Sequence, residues 1–407
     1  MKTNTAALLL AAGLLAGCGL ARQKAAEHYL GKARAAAQAS DQASIEAGFA
    51  AANKALGYAP GSEQVIAVFE TLAEASARAG FSGGQALHEA ALRRALELDG
   101  LNWHAREALI NFHAVRGDTA ALDSMAAQAK ALASAGEGAG VKYCALLAAL
   151  AARAASVQWL ESEAYLAMGK SPDAFFEKAA AFAAAAAEVA SLKAEAERMS
   201  AADPSVKAAA PAALASAAEV SAADALRSPG TAASAAAFVS RAGSDPAFRK
   251  AVEMTVQGNA SLGRKEYAQA RAFYQGALQH LPSMLDARRQ LAETDFQEGA
   301  ALAAAGSGNK AAAPLLYKAY GEADAAIKSA LGGDTPLPFT KPEKFLGELY
   351  ALKAADLAAL RAVEGRRLRN TARLEAEFKA ALDEAVKLNP EGRLARELLE
   401  RYSKEGF

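Results

Sequence analysis

The sequence predicts an all-α protein: a helical-hairpin solenoid of about a dozen helices, with an Ala/Ser/Pro linker between two helical halves. Three observations carry this. Alanine supplies much of the 53% apolar fraction; it is the strongest helix former, and its small side chain lets helices approach closely. Aromatic residues make up only 7%, and alternating β-branched runs are scarce, so nothing favours a sheet. Apolar-periodic stretches repeatedly stop at Pro or Gly, as helices do.

The 407 residues suffice for two or more domains or one extended array. With 45 basic against 45 acidic side chains, the chain lacks the Lys/Arg excess of a nucleic-acid groove, and it gives no reason to expect a polybasic membrane clamp. The two cysteines, Cys18 and Cys144, are too few for a disulfide framework. Cys144 sits in the apolar run Tyr143-Cys144-Ala145-Leu146-Leu147, where burial as a small hydrophobe is expected.

At the amino terminus, Met1-Lys2-Thr3-Asn4 is short and basic. Thr5 to Ala16 is apolar but too short to span a bilayer, and small residues follow. This predicts a secretory signal over residues 1–17. The sequence Leu15-Ala16-Gly17-Cys18 resembles the lipobox of bacterial lipoproteins, in which the cysteine thiol receives a diacylglyceryl group and the preceding peptide is removed. The resemblance implies lipidation at Cys18 and several acyl chains, a stable anchor where one chain would be marginal. Gly19 in place of Asp favours the outer membrane, periplasm-facing, over the inner membrane. The later apolar runs, Cys144–Ala152 and Ala179–Ala187, are too short to span.

Residues 18–199 are expected to form an amino-terminal helical-repeat domain. Ala55 and Pro60 follow the helical stretch Gln42–Leu56, and Leu92 and Ala95 precede a Gly-closed end at Leu98-Asp99-Gly100. Ser171-Pro172-Asp173 is a helix start. From it, Phe175, Ala179, Phe182, Ala186 and Val189 trace a coiled-coil-like seam, which makes both phenylalanines core rather than pocket. Residues 200–243 turn to Ala/Ser with Pro204, Pro211 and Pro229 and little charge, the expected interdomain linker with room for short helices.

Ser244-Asp245-Pro246 restarts regular helix for a carboxyl-terminal domain, 244–407. In Ala251–Met284, positions 8, 17, 20, 24, 27 and 32 hold Gly258, Tyr267, Ala270, Tyr274, Ala277 and Pro282, with a turn at Leu262-Gly263-Arg264-Lys265. This pattern resembles a tetratricopeptide repeat (TPR), a 34-residue helical hairpin. In such a unit Gly258 and Ala270 would meet at the helix crossing, flanked by the two tyrosines, with Pro282 ending the second helix. Leu382, Ala385 and Pro390 repeat the closing signature. Leu394–Tyr402, polar on one side, suits a terminal cap, and Gly332–Pro338 is a second break before a helix near Pro342.

The TPR resemblance implies a concave surface lined by positions 2, 5, 9 and 12 of each first helix: Val252, Thr255, Asn259 and Leu262, then Asp286, Arg289, Glu293 and Phe296. Asn259 matches an Asn of TPR carboxylate clamps, but the Lys wanted at position 5 is Thr255, so a mixed polar groove is expected.

For chemistry, His28, His88, His104, His113 and His280 show no metal-ligand spacing, and Leu92 takes the second ligand place after His88-Glu89. There is no Gly-x-Ser-x-Gly elbow and no phosphate-cradling loop. No catalytic residue, cofactor or metal is therefore expected. Arg361, Arg366, Arg367, Arg369 and Arg373 cluster around Gly365, either as a solvated turn or as a contact for anionic headgroups or an acidic partner. The expectation is a lipid-anchored envelope adaptor that takes a protein or peptide in its groove. Alternatives are a ligand-binding TPR lipoprotein beside a solute transporter, and a cell-wall enzyme.

Overall fold

The computed structural model describes residues 4–136, 138–226, 231–305, 309–365 and 370–405, with side chains described from residue 19 onward except at 209, 231, 309 and 405. Helices fill it, and no strand occurs among the described residues. Eighteen helices are present there, more than the dozen expected. The chain divides into two compact units, residues 1–159 with 188–227 and residues 160–187 with 228–407.

In the first unit, α1 (Asn4–Ala36), α2 (Gln42–Tyr58), α3 (Glu63–Arg78), α4 (Gly84–Leu98), α5 (Trp103–Arg116) and α6 (Thr119–Ala135) pack each on the next. Short polar caps start several of them: Asp41, Asn102 and Asp118 accept from the N–H groups of Ser44, Ala105 and Ala121 at 2.8, 2.9 and 3.0 Å. Asn102 also donates to the Pro60 carbonyl at 2.6 Å, tying the start of α5 to the turn after α2. The alanines that close α2 and α4, Ala55 and Ala95, are fully buried. Cys18 and the segment 1–17 have side chains outside the described ones, and Arg366, Arg367 and Arg369 lie outside the described residues altogether. Arg373 is exposed.

Helix α7 (Ala139–Ala167) is, among the described residues, long and apolar enough to cross a membrane, which the sequence reading had denied. Its apolar window is 78% buried within the protein, so the apolarity is used for packing, and Cys144 lies inside that core. Helix α8 (Pro172–Ala202) buries Phe175, Ala179, Phe182, Ala186 and Val189 along one seam.

The expected linker, 200–243, is instead helical: α9 (Ser205–Ala209), α10 (Ala212–Leu226) and α11 (Thr231–Ser244). Leu214, Ala218 and Ala222 recur at intervals of four and are buried, and α10 packs on α5. The Ala content is helix-forming, and Pro204 and Pro211 fall at the starts of α9 and α10, while Pro229 lies outside the described residues.

In the second unit, α12 (Pro246–Gly263) and α13 (Tyr267–His280) form the TPR-like hairpin. It is followed by α14 (Leu285–Ala304) with α15 (Asn309–Leu331), α16 (Pro342–Glu364) with α17 (Thr371–Leu388), and α18 (Arg393–Glu405). The first helices α12, α14, α16 and α18 also touch in sequence, so the hairpins stack. Asp245 caps α12 through the N–H groups of Ala247 and Phe248, both at 3.0 Å. The turn to α13 places Lys265, not a glycine, at positive φ (63°), while the Glu266 N–H reaches back to the Ser261 carbonyl at 2.9 Å. Gly258 faces the fully buried Tyr274. Phe175, Phe182, Phe238 and Phe339 form one aromatic cluster, with ring centroids 5.2 to 5.8 Å apart.

Ion pairs lock neighbouring hairpins. Asp295 on α14 is fully buried between Arg271 of α13 (2.7 Å) and Lys318 of α15 (2.9 Å). Lys353 on α16 reaches Asp324 of α15 (2.7 Å) and Glu377 of α17 (2.8 Å), and Glu377 also accepts from the Tyr320 hydroxyl at 2.6 Å.

Candidate functional site

Stacking the first helices side by side leaves a groove of about 600 Å³ on the second unit. Leu262 at the end of α12 stands at one side. Helix α14 contributes Arg289, Gln290, Glu293, Phe296 and Gln297; Gly347, Glu348 and Ala351 come from α16. The far wall is the end of α17 and the start of α18, with Asn389, Arg393, Leu394 and Glu397. Small residues on α16 keep this hollow open: Gly347 is already so close to Asn389 that a Cβ would meet that residue's Cβ at 2.9 Å. A smaller hollow of about 310 Å³ shares Leu262, Gln290 and Gln297, and adds Asn259, Gly263 and Lys265.

The charges in the groove are mostly spent on each other. Arg289 pairs with Glu348 at 2.9 Å and Arg393 with Glu397 at 2.7 Å. Among the described residues Glu293 accepts only from the Gln297 amide, at 2.8 Å. Asp356 on α16 is fully buried, and neither of its oxygens has a hydrogen-bond partner among the described residues. Burial first, then the charges of Glu293 and Asp295, push its carboxyl well above the usual range. Asp286 is also buried; it accepts from the Leu337 N–H at 2.8 Å, and burial raises it to about 6.

Of the residues read from the sequence as a concave lining, the structure gathers Leu262, Arg289, Glu293 and Phe296 in this groove. It does not bring Val252 or Thr255 there. Both are fully buried, and the Thr255 hydroxyl donates to its own helix at the Ala251 carbonyl, 2.8 Å away. The expectation of partner contact at these two positions is therefore corrected. The reason lies in the unit's own additions: Phe238 of α11 packs on Phe248 (5.6 Å), and Arg249 stacks over Phe176 of α8 (4.7 Å), covering the start of α12. Asn259 is likewise engaged, donating to the Met168 carbonyl at 3.0 Å and accepting from Tyr274 at 2.8 Å, so the carboxylate-clamp comparison loses its remaining residue. Asp286 anchors the 332–341 segment instead of lining the groove.

The sequence reading missed Gln290, Gln297, Glu348, Arg393 and Glu397. The two glutamines lay one residue beside counted positions. The other three belong to first helices whose register could not be counted, because α16 begins only at Pro342, well past the 34-residue point after Leu285. No group of three or more His, Cys, Asp or Glu side chains suited to a metal occurs among the described residues.

No protein-family model matches the chain, and no curated protein matches it. A solved structure described as the crystal structure of the APC/C hetero-tetramer Cut9-Hcn1 aligns over 88% of this chain and 94% of its own, at 12% identity and a TM-score of 0.14. That superposition is too poor to bear on fold or function, and the fold assignment rests on the hairpins described above.

Proposed function

We propose that the chain is a lipid-anchored adaptor of a bacterial cell envelope, tethered through Cys18, that holds a segment of a partner protein in the groove of its second unit. The groove along α14, α16 and α18 carries this reading. It offers apolar surface at Leu262, Phe296 and Leu394 beside polar and charged groups, the mixture used to bind peptide segments. An enclosed apolar pocket would have favoured a small solute; five charged side chains along this lining favour a peptide. A tether confines the groove to a membrane surface, where effective concentration lets modest affinity suffice. With no metal-ligand spacing or nucleophile motif in the sequence, we read the chain as a binding protein and not an enzyme.

Two experiments test this. Cells fed labelled palmitate should label the unaltered chain and not Cys18→Ala; an unlabelled native chain removes the anchor from the proposal. A photo-crosslinking amino acid at Gln297 or Leu394 should capture a partner protein that the same group at exposed Lys379 does not. Equal capture at all three positions would sink the groove as the binding site.

A further inference from the structure

We propose that the groove selects a basic peptide segment, seating a lysine or arginine side chain on Glu293 and a neighbouring apolar side chain against Leu262 and Phe296. This rests on the groove reading above and adds the chemistry of its occupant.

The argument is one of charge left over. The groove lining carries Arg289, Arg393, Glu293, Glu348 and Glu397. Each arginine already has a carboxylate of its own, at 2.9 and 2.7 Å. An acidic ligand would have to break one of these pairs to be received. Glu293, by contrast, is half-buried, holds only an amide, and has no cation within ion-pair distance among the described residues. The Lys265 ammonium belongs to the adjoining hollow rather than to the stretch around Glu293. Behind Glu293 stand further acids. Asp295 is bound by Arg271 and Lys318, and ionisation of the buried Asp356 is disfavoured, so neither competes with Glu293 for an incoming cation. Glu293 therefore presents an unspent acceptor in the groove lining, and a cation entering there meets it. Leu262 and Phe296 supply apolar surface beside it, so the fitting segment alternates a basic with an apolar side chain.

The test uses the detergent-solubilised full chain and an array of random peptides acetylated and amidated at their ends, so that only side chains carry charge. The unaltered chain should enrich Lys or Arg next to Leu, Met or Phe, and binding should weaken as salt rises. Glu293→Gln should weaken the selected peptides about tenfold, as removal of one partner from a partly desolvated charge pair does. Glu293→Lys should shift enrichment to Asp and Glu. Circular dichroism should show both variants folded, because Glu293 is half-buried and, among the described residues, its one side-chain hydrogen bond is to Gln297. Phe296→Ala separates the two claims. If it abolishes peptide binding while the enriched residues are acidic or neutral, or are unchanged by Glu293→Lys, the charge inference is wrong and the groove stands. If no peptide binds, or binding is indifferent to Phe296→Ala, both fail.

Discussion

The ring of Tyr274 lies directly against Gly258: a Cβ built on that glycine would meet the tyrosine Cε1 at 2.5 Å. Tyr274 is fully buried, so its ring has nowhere to withdraw. Gly258→Ala should therefore destabilise the second unit by about 1–3 kcal/mol, overpacking outweighing the helix-propensity gain. Gly263→Ala is the control. A Cβ there meets nothing within 4 Å, and this change should stabilise by about 0.5–1 kcal/mol in denaturant unfolding.

The Tyr274 hydroxyl donates to the Asn259 side chain, which donates in turn to the Met168 carbonyl. Tyr274→Phe should cost about 1–2 kcal/mol by leaving that acceptor unmet. Asn259→Ala should cost more, since it strands the hydroxyl and the carbonyl together. Equal losses would show that the Met168 bond contributes nothing.

Burial lifts the Asp286 carboxyl to about 6, against the opposing pull of the Leu337 N–H and Arg289. The folded chain thus holds a proton between the ordinary 3.8 and about 6 that the unfolded chain has released. This contribution to stability is complete below 3.8 and is lost as pH climbs through 6, up to about 3 kcal/mol over the whole window. Asp286→Asn keeps an acceptor for Leu337 and should gain stability relative to the unaltered chain as pH rises from 4 to 7. A constant difference across that range would refute the assignment.

Asp295 and Asp356 make a contrasting pair, both fully buried, one between two cations and one with no partner. Asp295→Ala should cost about 1–3 kcal/mol by removing the carboxylate that Arg271 and Lys318 share, Arg271 keeping Glu298. Asp356→Asn removes a carboxyl whose ionisation is disfavoured, and should be neutral or stabilising at pH 7. Thermal unfolding of the two variants side by side checks the contrast.

Burial also pushes the Cys144 thiol above its usual range, and the residue is only 2% exposed. A thiol reagent should leave it unmodified in the folded chain and label it in denaturant. Rapid labelling under native conditions would mean that α7 opens readily.

Much of the fold was legible residue by residue. Ala55, Ala95, Ala277 and Ala385, each read as closing a helix before Pro or Gly, are all fully buried. The seam of Phe175 and Phe182 is core. Local signals of this kind survive because capping, periodicity and small-residue crossings are properties of a few neighbouring residues. The 200–243 segment was misread for the same reason. Leu214, Ala218 and Ala222 become core only through packing of α10 on other helices, α5 among them, which Ala/Ser composition does not announce.

The sequence by itself determined the helical class, the one well-formed TPR-like hairpin, and four of the side chains that meet in the groove. The tertiary structure decided which face of α12 is available: Phe176 and Met168, far from that helix in the chain, engage Arg249 and Asn259, and Phe238 of the preceding helix packs on Phe248. It also decided that Arg289 and Arg393 find carboxylates while Glu293 meets no cation within ion-pair distance among the described residues. Helix formation is set by residues three and four apart, whereas burial and ion pairing depend on partners brought together from across the chain, and no local pattern names them.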